Sequence, residues 1–272
     1  MVQHDQPTLP VELYRDIIQN VERSNLFNLV SVSKTLREEA EHALYDIIGL
    51  QHKAWRTPFN RSEWAALERL STKESLLTYR LTSLHLWKYM WQNDCQYPRA
   101  HPPASLLAKV LQSTPNLVTL RIHAVTPALV SASLAVGLPF RLRIFHYSGI
   151  TSRDKPFRTR LAAFLLDQRD LEELNIGGLT CVLPPDALAQ LKILIGSPTS
   201  CLAFLPRPRL THLKQEHYPR GGDSHDIPAV LLDGVRNISI PNLYGIPTAA
   251  GQAAPTVEFL EFVGFFPLRV GV

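Results

Sequence analysis

A chain of 272 residues that is 45% hydrophobic is long enough for one large domain, or for a small module followed by a larger one. It holds no run of ~18 apolar residues, so no membrane-spanning helix is expected. The polar opening MVQHDQPT has neither the charged nor the apolar part of a signal peptide. The formal net charge of +4 joins two unlike parts: residues 1–50 carry four basic and eight acidic groups, and the rest carry 24 and 16.

That asymmetry points to two modules with different partners, and the basic excess is too mild to argue for nucleic acid. Cys95, Cys181 and Cys201 are widely spaced and offer neither a metal spacing nor a disulfide framework. This usage suits a reducing compartment, so the cytoplasm and/or the nucleus is the expected location. The 21 prolines fall between apolar runs and read as repeated turns.

Residues 1–8 are expected to be disordered. Thr8 can cap a first helix with Pro10 in its first turn, and Leu13, Ile17, Ile18 and Val21 follow at helical spacing. Ser24 or Asn25 is the expected cap of a second helix carrying Leu26, Leu29, Val30 and Val32. A third, over residues 34–44, has Leu36, Ala40, Ala43 and Leu44 on one face and Arg37, Glu38, Glu39 and Glu41 on the other. Three short helices cannot bury all these apolar groups among themselves, so the surplus points to a partner surface.

The stretch LPVELYRDIIQNVERSNLFNLVSVSKTLREEAEHALY, residues 9–45, resembles the F-box motif. Leu9-Pro10, Glu12-Leu13, Ile17, Leu29, Val32 and Lys34 fall in the family register without an inserted gap, and Leu44-Tyr45 closes the motif. Ser33 stands where a cysteine is common, and Leu36 where a tryptophan is common. The resemblance implies a Skp-type adaptor, and through it a cullin-based ubiquitin ligase. It implies adaptor contacts at Leu9, Pro10, Leu13, Ile17, Ile18, Leu29 and Val32, with Leu36 at the position that tunes affinity.

Beyond residue 48 one phrase recurs: an apolar residue, two others, an apolar, one other, an apolar. It reads LTSLHL from Leu81, LVTLRI from Leu117, LRIFHY from Leu142 and LEELNI from Leu171. It returns, degraded, as LKILIG from Leu191 and LTHLKQ from Leu210, then as VRNISI from Val235 and VEFLEF from Val257. Successive starts are 36, 25, 29, 20, 19, 25 and 22 residues apart. Most of these intervals match the period of ~20–29 of leucine-rich repeats.

The alternating part suits a short parallel strand. Residues 62–77, 104–114 and 157–168 have helical spacing, and LYDIIGL, residues 44–50, reads as a lead-in strand. A strand, a turn and a helix per repeat stack into a solenoid. The region resembles the irregular leucine-rich repeats that follow F-boxes in many large fungal families. The expected fold is therefore α/β: a three-helix module over 9–48 and a repeat solenoid over 49–272, with a parallel strand face and outer helices. The apolar ending FLEFVGFFPLRVGV lacks a polar cap, which suggests truncation, a divergent gene model, or a partner at that edge.

In each phrase the neighbours of the second apolar residue point away from the core. The residue after it forms one expected column: His85, Arg121, His146, Asn175, Lys214, Ser239 and Glu261; the residue before it gives Ser83, Thr119, Ile144, Glu173, His212, Asn237 and Phe259. Trp87 and His123 lie two residues further along. The column reads as a groove for acidic or phosphorylated segments of a protein substrate, although any solvated strand face must be polar. A second basic group, Arg141, Arg143, Arg153, Lys155, Arg158 and Arg160, faces only Asp154 in sequence. Residues 221–226, GGDSHD, read as an exposed loop.

No chemistry is signalled. Ser33-Lys34-Thr35 lacks the glycines of a phosphate loop, Gly177-Gly178 lacks the third glycine of a dinucleotide fingerprint, and no G-x-S-x-G elbow occurs. His212 and His217 have no accompanying metal-ligand pair. Cysteine–histidine partners would meet only in the fold. The expectation is a binding protein without cofactor, metal, membrane or nucleic-acid partner: a substrate-recognition subunit of an SCF-type ligase. The alternative is a leucine-rich-repeat scaffold or regulator acting without the ligase.

Overall fold

Pro10 turns the chain into α1 (Val11–Gln19), the first element of the computed structural model. The structure describes residues 9–29, 31–51, 61–72, 76–87, 104–123, 127–135, 137–148, 155–215, 234–240 and 258–262. The Pro10 carbonyl accepts the Leu13 amide at 3.0 Å, and no side chain caps this end. Thr8, the expected cap, lies outside the described residues, as do residues 1–8 altogether. The second helix, α2 (Arg23–Leu29), begins two or three residues earlier than a Ser24 or Asn25 cap implies, so both lie inside it. The third, α3 (Lys34–Asp46), has a cap that the sequence does not announce: Ser33 Oγ accepts the Leu36 amide at 3.2 Å. This is the reach of an N-cap serine, and it gives Ser33 a structural task.

Ile18, Leu26, Ala40 and Leu44 form the small core of these helices, with Val21, Leu29, Leu36 and Ala43 packed half-buried against it. Because Ala43 and Leu44 serve that core, the helix runs on to Asp46. The lead-in strand is therefore β1 (Ile47–Gln51) rather than residues 44–50. Arg80 Nη1 donates to the Glu38 carbonyl at 2.9 Å and ties the helical module to the first repeat.

The expected helix over 62–77 is two helices, α4 (Arg61–Leu70) and α5 (Leu76–Arg80). Ser71 and Thr72 end the first: their hydroxyls donate to the carbonyls of Glu68 and Arg69, both at 2.7 Å, and so compete with the next helical turn. Then come β2 (Ser83–Trp87), α6 (Ala104–Ser113), β3 (Thr119–His123), α7 (Pro127–Ser133), β4 (Ile144–Ser148), α8 (Lys155–Asp167) and β5 (Glu173–Asn175). The chain continues through β6 (Ile193–Gly196), α9 (Pro198–Phe204), β7 (His212–Gln215), β8 (Asn237–Ile240) and β9 (Phe259–Phe262).

Among the described residues nine strands form one sheet in sequence order, β1 to β9. Every neighbouring pair is parallel. The degraded phrase from Leu191 takes a definite register, with Leu194 between Leu174 and Leu213. A backbone device repeats ahead of the strands, where one carbonyl accepts two successive amides of the next repeat. Thr82 takes Val118 and Thr119, Val118 takes Arg143 and Ile144, and Arg143 takes Glu172 and Glu173. Glu172, Lys192 and Thr211 continue the series. Each repeat thus templates the next, whatever the length of chain between them.

One face of the sheet is the core. Leu84, Leu120, Phe145, Leu174, Leu194, Leu213 and Ile238, the second apolar residues of their phrases, are all buried. They belong to one cluster with Leu107, Leu111, Phe157, Leu161, Phe164 and Phe204 from the helices. Phe164 of α8 meets Phe145 edge to face at 5.3 Å. The chain is therefore mixed α/β, with a parallel sheet whose apolar side is covered by helices.

Candidate functional site

Two surfaces hold the residues that the sequence singled out. On the helical module, Leu9, Leu13 and Ile17 recur every fourth residue and are 48%, 46% and 48% exposed, and Val32 is 63% exposed. Leu13 and Ile17 share one side of α1 and Leu9 lies just ahead of it, and covering what remains exposed of each would be worth about half of the ~1.5–3 kcal/mol that full burial brings. Pro10 is exposed beside them. Three other expected contacts stand differently. Ile18 is buried at the centre of the module, and Leu29 and Leu36 are half-buried against the same core. The helical period explains this: a residue next to Ile17 points about 100° away from it.

The second surface is the sheet face opposite the core. The expected column exists as a register: Gly49, His85, Arg121, His146 and Asn175 pair in turn, then Ile195, Lys214, Ser239 and Glu261. Trp87 and His123 pair one step along. Its character differs from the expectation in the middle. Asn175 is only 6% exposed, and its Oδ1 accepts the Gly177 amide at 3.0 Å, so it holds a turn. Ile195 comes next in the column, so Lys214 on β7 is separated from Arg121 on β3 by four strand spacings, roughly 19 Å.

Around Arg121 the polar groups gather. His85 Nε2 lies 3.0 Å from Ser83 Oγ, and His123 Nδ1 is hydrogen-bonded to Ser148 Oγ. His146 Nε2 lies 2.6 Å from Glu173 Oε1 across the β4–β5 pair. Arg121 itself stands in no ion pair among the described residues, and its Nε is buried without a hydrogen-bond partner. Burial, then repulsion from Arg121 and His146, pushes the His85 imidazolium down from its ordinary value. Burial is also the main cause at His123, whose pKa falls to about 4, with His146, Arg121 and His85 adding repulsion. Sequence placed Ser83 and Glu173 on this outward face, as the residues just before the buried position of their phrases. Ser148 was not singled out, although it lies in register beside His123.

Other candidates lose their interest in the fold. Arg143 pairs with Glu172 at 2.7 Å, Arg141 with Asp167 at 3.5 Å, and Arg160 donates to the Ser131 carbonyl. Arg158 donates to Thr180 Oγ1 at 3.4 Å. Arg141 and Arg143 of the second basic group are thus paired with carboxylates distant in sequence, and Arg158 and Arg160 bond neutral oxygens, while Arg153 and Asp154 lie outside the described residues. Lys192 and Arg143 both bond Glu172 and hold its carboxyl below the usual carboxylate range. Burial pushes the Cys181 thiol up to about 12, which removes it as a nucleophile at neutral pH.

Cys201 is fully buried; Cys95, His217 and residues 221–226 lie outside the described residues. His212 is bracketed by Thr211 Oγ1 at 2.8 Å and Asn237 Nδ2 at 2.7 Å. A cleft of about 440 Å³ opens beside Tyr79, Arg80, Asn116 and Arg141. Its polar groups are already spent: Arg80 on Glu38, Asn116 on Tyr79 and Arg141 on Asp167. Among the described residues no group of three or more His, Cys, Asp or Glu can hold a metal ion, and no helix is long and apolar enough to cross a membrane. No protein-family model matches the chain, and no curated protein matches it significantly.

Proposed function

We propose that this chain is the substrate-recognition subunit of an SCF-type cullin ubiquitin ligase. Residues 9–48 act as an F-box that binds a Skp-type adaptor, and residues 49–272 form a leucine-rich-repeat solenoid that binds a target protein. The observation that carries this reading is the solvent exposure of Leu9, Leu13, Ile17 and Val32 on a module whose own core, among the described residues, centres on Ile18, Leu26, Ala40 and Leu44. Apolar side chains repeated along one helix side are what a partner's groove would cover. Strands in sequence order, all parallel, with the apolar face under helices and the other face polar, support the solenoid half.

The chain then works by proximity and does no chemistry itself. The helices hold the adaptor and cullin, the strand face holds the target, and an associated conjugating enzyme meets target lysines at high effective concentration. Such a complex belongs in the cytoplasm and/or the nucleus.

Co-expression with a Skp-type adaptor tests the reading. The wild-type chain is expected to co-purify with it. Leu9→Asp with Ile17→Asp places two charges in the interface and should abolish capture while leaving the fold intact, since both side chains are solvent-exposed already. Undiminished capture by the double variant would overturn the F-box reading and leave a repeat scaffold that acts without the ligase.

A further inference from the structure

The most unbalanced place among the described residues is the middle of the β2–β4 face. Arg121 stands at the centre of a cross, with His85 opposite it on β2, His146 opposite it on β4, and His123 two residues along its own strand. Alternate residues of a strand share a face, so all four side chains rise from the same side of the sheet. Among the described residues of the neighbouring strands the charged groups facing Arg121 are few. Glu173 on β5 is the one carboxylate among them, and its Oε1 is engaged by His146 at 2.6 Å. A guanidinium without a counterion among the described residues, its Nε buried and unpartnered, is an unsatisfied arrangement.

We infer that Arg121, His85 and His123 form a seat for a phosphate monoester, with His146 and Glu173 as its fixed wall. A metal cation would be repelled by Arg121. A carboxylate is planar and offers two acceptor atoms, which one guanidinium fork satisfies alone. A phosphate monoester carries about −1.5 to −2 charge and three terminal oxygens. It can accept the Arg121 fork on one side and an imidazole donor from His85 or His123 on the others. Its charge also exceeds what Arg121 alone balances, so binding draws a proton onto the depressed histidines. This seat rests on the reading of the strand face as the capturing surface, and is independent of what the helical module binds.

The test is an NMR titration of the full chain with inorganic phosphate, following the histidine ring signals. The expected result is a saturable shift of His85 and His123 with a raised pKa for both. Arg121→Lys, which keeps the charge but not the fork, should weaken binding by about tenfold or more. Arg121→Gln should abolish it. A phosphoserine peptide, the same peptide unphosphorylated, and a sugar phosphate are run alongside. A preference for the phosphopeptide over the sugar phosphate assigns the seat to a protein-borne group, and equal binding assigns it to a free ester; either outcome supports the seat.

The inference is overturned if no phosphate compound shifts the rings. It is also overturned if Arg121→Lys and wild type bind alike, a comparison that stands even where Arg121→Gln fails to fold. Adaptor capture by the same variants is measured in parallel. Lost phosphate binding with intact adaptor capture keeps the two proposals separable.

Discussion

His123 shows how a single side chain couples this face to pH. Its ring is largely buried beside Arg121 and two other histidines, and its pKa falls to about 4. In the unfolded chain the same ring titrates near the ordinary histidine value of about 6.5. Between those two values the unfolded state binds more protons than the folded one, so stability rises with pH across this window. The contribution is complete above about pH 6.5 and is lost as pH falls toward the folded value. His85 is shifted in the same direction and adds to the same slope. His123→Asn keeps a partner for Ser148 and removes the titration. The variant should lose less melting temperature than wild type on going from neutral pH to pH 4, in scans at several pH values. Parallel melting curves for the two proteins would contradict this assignment.

At the scale of elements, the join between β5 and β6 shows how tightly the shortest repeats are built. Gly177 lies just past β5 with φ of +52°, its carbonyl accepts the Ser197 amide at 2.8 Å, and Ser197 in turn caps α9. A Cβ on Gly196 would sit 3.0 Å from that same carbonyl and 3.3 Å from Ser200 Cβ. The carbonyl is backbone fixed by a hydrogen bond and cannot easily give way. Gly196→Val should therefore destabilise the chain by about 1–3 kcal/mol despite the β propensity of valine, read from denaturant midpoints.

This join is invisible in sequence, where Gly177-Gly178 reads only as an incomplete cofactor fingerprint. The strands were legible because a buried alternate residue every repeat is a local pattern, and so the His85–Arg121–His146 register was legible too. Helix boundaries were less so. Ser71 and Thr72 stop a helix by turning their hydroxyls onto its last carbonyls, and Ile18 sinks into a core that needs α2 and α3 to define it. The Arg143–Glu172–Lys192 pairing joins residues about twenty or more apart, which only the stacking of repeats brings together.

For the whole molecule the question is whether the two surfaces work as separate handles. Leu13 and Ile17 lie on α1, Leu9 just ahead of it and Val32 in the turn before α3, whereas Arg121 and Lys214 lie on β3 and β7 of the sheet face. Arg121 and Lys214 are themselves roughly 19 Å apart across four strand spacings, too far to touch one group of a ligand. They would grip an elongated partner at two points, and charge reversals at such a distance should act additively. Arg121→Glu and Lys214→Glu are each expected to weaken target association, and the pair to abolish it, with adaptor capture unchanged. Proximity labelling with the wild type, this face variant and Leu9→Asp/Ile17→Asp provides the comparison. The face variant should keep adaptor and cullin labelled and lose a further set of proteins. The helix variant should lose adaptor and cullin and keep that further set. If both variants lose the same proteins, the surfaces are not separable and the chain does not bridge a target to a ligase. If the face variant loses none, the sheet face is solvated surface and the target is held elsewhere on the chain.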